Sequence, residues 1–341
     1  MTPQGTLAAE RALLPESGRG LPPPKTLREL LGLLFGSAPV LWRCDKGNGT
    51  ERSGKQSTET KMRTIHVNRI RDSVAAMCKR ANFELSADMR VALRTAAELE
   101  TAPLARNTLL RILQNADVAQ ARELPMCQDT GLAVLFVEIG QEVRITGGTL
   151  RDAIDEGVRQ GYTEGYLRAS VSADPIRRGN TGDNTPAVIH TEVVAGNRLR
   201  LQMLAKGGGC ENMSRFKMLT PADGREGITN FVVETATLAG PNACPPIVVG
   251  VGIGGTFEYS ALLSKKSLLR PIGQRSSLAH VAALEDEILA KINASGIGPQ
   301  GYGGKTTSLA VHIEAGACHV ASLPVSVNIE CHAHRHQETI L

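Results

Sequence analysis

The spacing of apolar residues changes at Pro125, and this change constrains the fold more than any other feature of the sequence. Upstream of it, apolar residues recur at the spacing of an amphipathic helix, as Ile70, Val74 and Met77 do. Downstream, short runs of β-formers are separated by glycine-rich segments. The sequence therefore predicts a mixed α and β fold, with an N-terminal helical section followed by an α/β region.

Strands, helices and glycine-rich loops alternate in the second part of the chain. We predict strands over residues 132–139, 188–194, 198–204, 247–251, 309–313 and 325–329, and helices over 258–269 and 277–292. The residues Ala195-Gly196-Asn197 between two of these strands predict a β-hairpin. Glycine-rich loops at 207–209, 250–255 and 298–304 cost chain entropy, so we expect backbone packed closely against a ligand there.

The first 61 residues differ in composition from the rest. They contain three consecutive prolines and a polar Gly/Ser-rich stretch, and most of the net charge of +4 lies among them. We predict that residues 1–61 are a disordered extension and that residues 62–341 form the folded domain. A transit peptide is the competing interpretation, although the acidic residues in this segment argue against it.

Composition argues against two classes of partner. Aromatic residues make up 3% of the chain, too few for base-stacking platforms, and the excess basic residues lie in the tail, so no nucleic-acid partner is predicted. The longest apolar run, residues 30–42, is shorter than the roughly 20 residues that a membrane span needs. We therefore predict a cytoplasmic protein that does not bind a membrane.

Seven cysteines are too few for a disulfide scaffold in a chain of 341 residues, so some of them are candidate metal ligands. Cys127 lies in the densest chemical motif, residues 125–131 (Pro-Met-Cys-Gln-Asp-Thr-Gly), where a thiol, an amide, a carboxylate and a hydroxyl are consecutive. The alternative is a polar turn whose side chains bond their own backbone. Cys244 precedes two prolines, and a buried structural thiol is the simpler interpretation there.

Two further motifs suggest carboxylate binding. Lys206 precedes three glycines, whose N–H groups around Gly208 can cradle a carboxylate, and a flexible loop tip is the alternative. Arg168 carries a guanidinium, which binds carboxylates in a bidentate manner, although most arginines are simply solvated.

Two patterns suggest other functions. Residues 250–255 fit the dinucleotide-binding pattern G-x-G-x-x-G, typical of an NAD-dependent oxidoreductase, but no second strand ending in an acidic residue follows. His332, His334 and His336 would share one face of a strand, which suggests a zinc-binding scaffold. They lack the Cys/His spacing of known zinc modules.

Several motifs together carry a resemblance to one family. They are Pro-Met-Cys-Gln-Asp-Thr-Gly at 125–131, Tyr-Leu-Arg at 166–168, Asn-Thr-Gly-Asp-Asn at 180–184, Lys-Gly-Gly-Gly at 206–209, Cys-Pro-Pro at 244–246, Gly-Ile-Gly-Gly-Thr at 252–256, and Cys331. In this order they resemble the alpha subunit of class I, iron–sulfur-dependent fumarate hydratase and of the related L(+)-tartrate dehydratase. The resemblance covers residues 62–341.

The resemblance implies a hydro-lyase that hydrates fumarate to L-malate, with L(+)-tartrate dehydration as the alternative. It implies a [4Fe–4S] cluster bound by Cys127, Cys244 and Cys331, with one iron left open as a Lewis acid. The other implied site residues are Gln128 and Asp129 for catalysis, and Arg168, Lys206 and Gly208 for binding the dicarboxylate.

The resemblance also raises two expectations beyond the ligands. Cys210 departs from the family pattern, which more often has serine there, so it is either a neighbour of the site or a substitute ligand. In two-chain members a beta subunit supplies the rest of the pocket. We therefore expect a hetero-oligomer, and incomplete activity for this chain alone.

Overall fold

The computed structural model of the protein describes residues 62–341. The predicted disordered extension, with Cys44, lies outside the described residues, so the domain boundary near residue 61 stays a prediction. All described residues belong to one unit of the chain, Glu59–Leu341. Among residues 62–341, each helix is too short or too polar to span a membrane.

The elements alternate as a mixed α and β fold. The strands are β1 Arg63–His66, β2 Leu132–Gly140, β3 Val143–Thr146, β4 Val188–Val194, β5 Leu199–Lys206, β6 Arg215–Leu219, β7 Ile247–Gly254, β8 Ser308–Gly316, β9 Leu323–Glu330 and β10 His336–Ile340. The helices are α1 Val67–Phe83, α2 Ala87–Leu99, α3 Pro103–Arg122, α4 Leu150–Glu164, α5 Gly208–Glu211, α6 Gly224–Ala239, α7 Phe257–Ser267 and α8 Ala279–Asn293. Short 3-10 helices cover Gly240–Ala243 and Pro299–Gly301.

The N-terminal helical section forms as predicted. The ring of His66 caps α1 by accepting a hydrogen bond from Asn68 N at 3.2 Å. The predicted stripe of α1 is buried, and Cys78 lies in it as a core residue. Burial raises the pKa of the Cys78 thiol to about 12, which keeps it protonated and unreactive.

The first sheet has the strand order β10-β5-β2-β4, and the predicted hairpin is wrong. The two predicted strands form, but β2 lies between them, parallel to β4 and antiparallel to β5. The connecting residues pass around the end of β2, where Gly140 N donates to Arg198 O at 2.8 Å and Glu142 N donates to Gly196 O at 3.0 Å. The predicted turn at residues 195–197 therefore forms, but it connects two strands that lie on either side of β2 instead of two neighbouring strands.

The second sheet has the order β6-β9-β7-β8, and its central strand β7 contains the glycine pattern at 250–255. A Cβ at Gly250 would lie 2.2 Å from Ser264 O, and one at Gly252 would lie 1.9 Å from Ser260 O. These glycines therefore let α7 pack directly on β7. The expectation of a ligand-binding loop is wrong for Gly250 and Gly252, and the oxidoreductase alternative loses its support.

Three apolar cores hold these layers together. One lies between the first sheet and helices α1 and α4, and a second lies between the second sheet and helices α6 and α8. The third contains residues of α2 and α3 with Phe136 of the first sheet and Val248 of the second. Because both sheets contribute to it, loops from either sheet can meet at one place.

Candidate active site

The three predicted cluster ligands come from three separate loops. Cys127 lies between α3 and β2, Cys244 follows the 3-10 helix before β7, and Cys331 directly follows β9. Burial raises the pKa of the Cys244 thiol, and the thiols of Cys331 and Cys127 raise it further. A hydrogen bond shows the same proximity, because His332 N, next to Cys331, donates to Cys244 O at 3.4 Å. The structure therefore brings the three cysteines together, with Cys244 exposed and the other two partly buried.

Cys244 is held in an uncommon backbone conformation. Its φ of 51° and ψ of 62° lie in the left-handed region, which costs a non-glycine residue on the order of 1–3 kcal/mol. Gln300 N and Nε2 both donate to Pro245 O at 2.8 Å, and His332 Nδ1 lies 3.0 Å from Cys244 O. The predicted glycine-rich loop at 298–304 thus packs against the Cys244 turn and helps to fix it.

A fourth thiol, that of Cys210, lies beside the three. It is buried, and its Sγ donates to Ala243 O at 3.4 Å. The neighbouring thiol of Cys210 lowers the pKa of Cys331, and Cys331 in turn raises the pKa of Cys210. The position matches the predicted neighbour of the site, and its use as a ligand stays a prediction.

Arg335 places a buried positive charge among these groups. It is 2% exposed, and its Nη1 donates to Asp129 O. Burial opposes the charge, but Cys331, Glu330 and Cys127 raise the pKa of Arg335. A guanidinium beside thiols stabilises the thiolate, which is the form that binds metals. No sequence motif predicts a role for Arg335, and its position four residues after Cys331 is the one sequence feature that points to it.

Asp129 links the first motif to the glycine loop. Its Oδ1 accepts from Gly131 N at 3.0 Å, and its Oδ2 accepts from Gly208 N at 2.8 Å. The neighbouring Gln128 accepts through Oε1 from Arg168 Nη1 at 2.8 Å. The structure therefore brings four predicted site residues together as two hydrogen-bonded pairs, which the chain joins between Gln128 and Asp129, next to Cys127.

A buried polar scaffold supports the turn that carries these side chains. The hydroxyl of Tyr162 donates to Thr130 O at 2.8 Å and to Gly131 O at 3.0 Å. Asn184 Nδ2 also donates to Gly131 O, and Asn184 Oδ1 accepts from Ser170 N at 2.7 Å. The Asn-Thr-Gly-Asp-Asn motif therefore serves the site by holding the turn after Asp129.

Lys206 is buried and surrounded by acceptors. Its Nζ donates to Ile329 O at 2.7 Å and lies 3.1 Å from Glu330 Oε1 and 3.4 Å from Glu211 Oε2. Burial opposes the charge of the ammonium, but Glu330 raises the pKa of Lys206. Contact between Lys206 and substrate stays a prediction, and these partners favour a supporting position behind Cys331.

The predicted histidine face is wrong. Strand β10 begins at His336, and His334 adopts a φ of 33° in the irregular segment before it. The ring of His334 is buried against that of His336, with centroids 4.6 Å apart, and neither of its nitrogens has a hydrogen-bond partner. Within residues 62–341, no three His, Cys, Asp or Glu side chains form a chelate for a single ion. The zinc-scaffold alternative therefore loses its support.

Comparison with known proteins agrees with the resemblance drawn from the motifs. The family described as Fumarate hydratase (Fumerase) matches residues 71–340. A Methanocaldococcus jannaschii protein, provisionally named L(+)-tartrate dehydratase subunit alpha, is 42% identical over 273 residues, covering 78% of this chain and 95% of that protein.

Bacterial relatives carry the same subunit name. The L(+)-tartrate dehydratase subunit alpha of Escherichia coli is 34% identical over 272 residues, and that of Shigella sonnei is 33% identical over the same length. Each alignment covers 79% of this chain and 89% of the relative. The predicted resemblance is confirmed, and the chain belongs to the fumarate hydratase family.

Proposed function

We propose that this chain is the cluster-binding subunit of a hydro-lyase that interconverts fumarate and L-malate. Membership of the fumarate hydratase family supports the reaction class, the reversible addition of water to a double bond. The observation that carries the proposal is the meeting of Cys127, Cys244 and Cys331 beside the Asp129 group.

The donor set suits a [4Fe–4S] cluster held by Cys127, Cys244 and Cys331. Each cluster thiolate binds a different iron, so the sulfurs need not converge on one point as the ligands of a single ion do. The buried charge of Arg335 favours thiolates at this place. A cluster held by three thiolates supplies an iron with an open position, a Lewis acid that helps a hydroxyl group to leave.

Arg168 and Gln128 are the proposed contacts for a substrate carboxylate. Arg168 is exposed, and its contact with Gln128 orients one end of the guanidinium while other N–H groups stay available for a carboxylate. Gly208 N donates to Asp129, so the proposed contact for the opposite end of the dicarboxylate is the exposed backbone around Gly208, with Gly209 N as the donor.

Asp129 is the proposed acid–base group of this chain, or the group that orients one. Two backbone N–H groups fix its carboxylate, and each oxygen keeps a lone pair for a substrate proton. In the hydration direction one proton is added to carbon and one hydroxyl to its neighbour. The group that exchanges the carbon-bound proton is assigned to Asp129 or to the partner subunit.

A second subunit is part of the proposal. The relatives are named alpha subunits, and the Asp129 and Cys244 region is open at the surface of the described part of the chain. We assign the rest of the pocket to a beta subunit in a cytoplasmic hetero-oligomer. L(+)-tartrate dehydration is the second candidate reaction, because the relatives that match carry that name.

The test is a substrate assay on the chain purified anaerobically with its beta-type partner. Fumarate, L-malate and L(+)-tartrate are compared by the ultraviolet absorbance of the fumarate double bond and by product chromatography. We expect turnover of fumarate and malate, and a KM about tenfold or more higher for Arg168→Gln than for the control Arg225→Gln, which lies in an exposed pair. Turnover of tartrate alone would assign the second reaction, and turnover of none would refute the proposal.

A further inference from the structure

Strand β4 leaves one edge of the first sheet without a partner among the described residues. The sheet order ends at β4, and β2 occupies only its inner edge. Natural edge strands are protected by charged residues, proline or a bulge, and the sequence Val-Ile-His-Thr-Glu-Val-Val of β4 contains no lysine or proline and one acidic residue, Glu192. Val188 and Val193 are 42% and 66% exposed. An apolar strand of this kind is a template for strand addition.

The sequence of β4 is complementary to itself in one antiparallel register. A two-fold axis at Thr191 aligns His190 with Glu192 of a second copy, Ile189 with Val193 and Val188 with Val194. Apolar residues then oppose apolar residues, and each imidazole opposes a carboxylate. An axis at position 190 would instead oppose two histidines, and one at position 192 would oppose two glutamates.

The side chains needed for this pairing are already held at the edge. The ring of His190 packs against Phe136 with centroids 5.1 Å apart. Glu192 Oε2 lies 3.1 Å from Lys266 Nζ, and the Glu192 side chain remains 62% exposed. Little side-chain ordering is therefore required when a second strand approaches.

We propose that β4 of one copy of this chain pairs antiparallel with β4 of a second copy, with the two-fold axis at Thr191. The first sheets of the two copies then form one continuous sheet. The contact satisfies the free backbone groups of both edges and covers the exposed valines. The partner for this surface is a second copy of the same chain because the match of charges and apolar residues is symmetric.

The test is disulfide trapping in the full-length chain. In the proposed register the two Thr191 Cβ atoms lie roughly 5 Å apart, so Thr191→Cys forms a disulfide-linked dimer under mild oxidation. The matched control is Val193→Cys, because two copies of residue 193 are offset by about 13 Å along the strands. Wild type gives the background from the native cysteines. Equal cross-linking of both variants, or a monomer by light scattering, would overturn the proposal.

A charge exchange tests the register separately. In the His190→Glu dimer, a carboxylate at position 190 of each copy faces Glu192 of the other copy. The dimer dissociation constant measured by sedimentation therefore rises about tenfold or more. Glu192→Lys weakens its own dimer by opposing lysine to histidine. An equimolar mixture of the two variants restores Glu–Lys and Glu–His pairs, so it dimerises more tightly than either variant alone. Failure of the mixture to recover would contradict the Thr191 axis.

Discussion

Replacement of Lys206 by methionine tests the energetics behind the cysteine site. The Lys206 side chain is 1% exposed and contacts Glu330, which is also 1% exposed, and Glu211, which is 41% exposed. Lys206→Met removes the cation in salt-bridge contact with Glu330, and Arg335 remains as a more distant cation. Burial raises the pKa of Glu330, so this carboxylate depends strongly on its cations. Breaking a buried pair from one side costs about 3–5 kcal/mol, so we expect the free energy of unfolding in urea to fall by that amount. Far-UV circular dichroism of reduced, cluster-free protein provides the measurement.

Two further variants separate burial from pairing. Lys206→Met with Glu330→Gln removes both charges, so it recovers about 2 kcal/mol or more relative to the single variant. Arg225→Met breaks an exposed pair with Glu287 and costs about 1 kcal/mol or less. A cost for Lys206→Met no greater than that of this control, or a double variant no more stable than the single one, would show that the buried pair does not stabilise the site.

Three other stability measurements follow from the structure. Burial opposes the charge of Asp183, but hydrogen bonds led by those of Thr185 lower its pKa from 3.8 to about 2. The Asp183 carboxylate therefore stabilises the folded state above pH 3.8, and this contribution is lost as the pH falls through 2. Asp183→Asn should lower the free energy of unfolding by about 1 kcal/mol at pH 7 and leave it unchanged below pH 2 in urea titrations. Burial lowers the pKa of His312 from 6.5 to about 4, so the free energy of unfolding falls as the pH drops from 6.5 to 4. His312→Leu removes about 3 kcal/mol of this pH dependence. The same change of unfolding free energy with pH in wild type and variant would contradict the role of His312. Gly252→Ala places a Cβ 1.9 Å from Ser260 O and lowers the unfolding free energy by about 3 kcal/mol, and an unchanged urea midpoint would disprove this packing.

The fold was predictable from the sequence wherever periodicity is local. The α1 stripe and the strand at β2 depend on neighbouring residues, and both form as predicted. The position of β2 between β4 and β5 depends on residues more than fifty positions apart, which a turn signal does not encode. The role of Gly250 and Gly252 in β7 was misread for the same reason, because only the tertiary structure shows that helix α7 packs directly against them.

The site was predictable in part through the family resemblance. Spacing alone did not link Cys127, Cys244 and Cys331, because each lies in a different loop and tertiary structure brings them together. The buried Arg335 and the support from Gln300 were missed because an isolated arginine or glutamine has no sequence signature. The histidine alternation was misread because His334 turns out of strand geometry.

Anaerobic reconstitution with iron and sulfide tests the central proposal most directly. We predict about four irons and four sulfides per wild-type chain, with the brown absorbance of a [4Fe–4S] cluster. Serine at Cys127, Cys244 or Cys331 should abolish that absorbance, whereas Cys78→Ser should retain it, because Cys78 lies in the apolar core. A cluster that survives Cys244→Ser, or one that requires Cys78, would contradict the account.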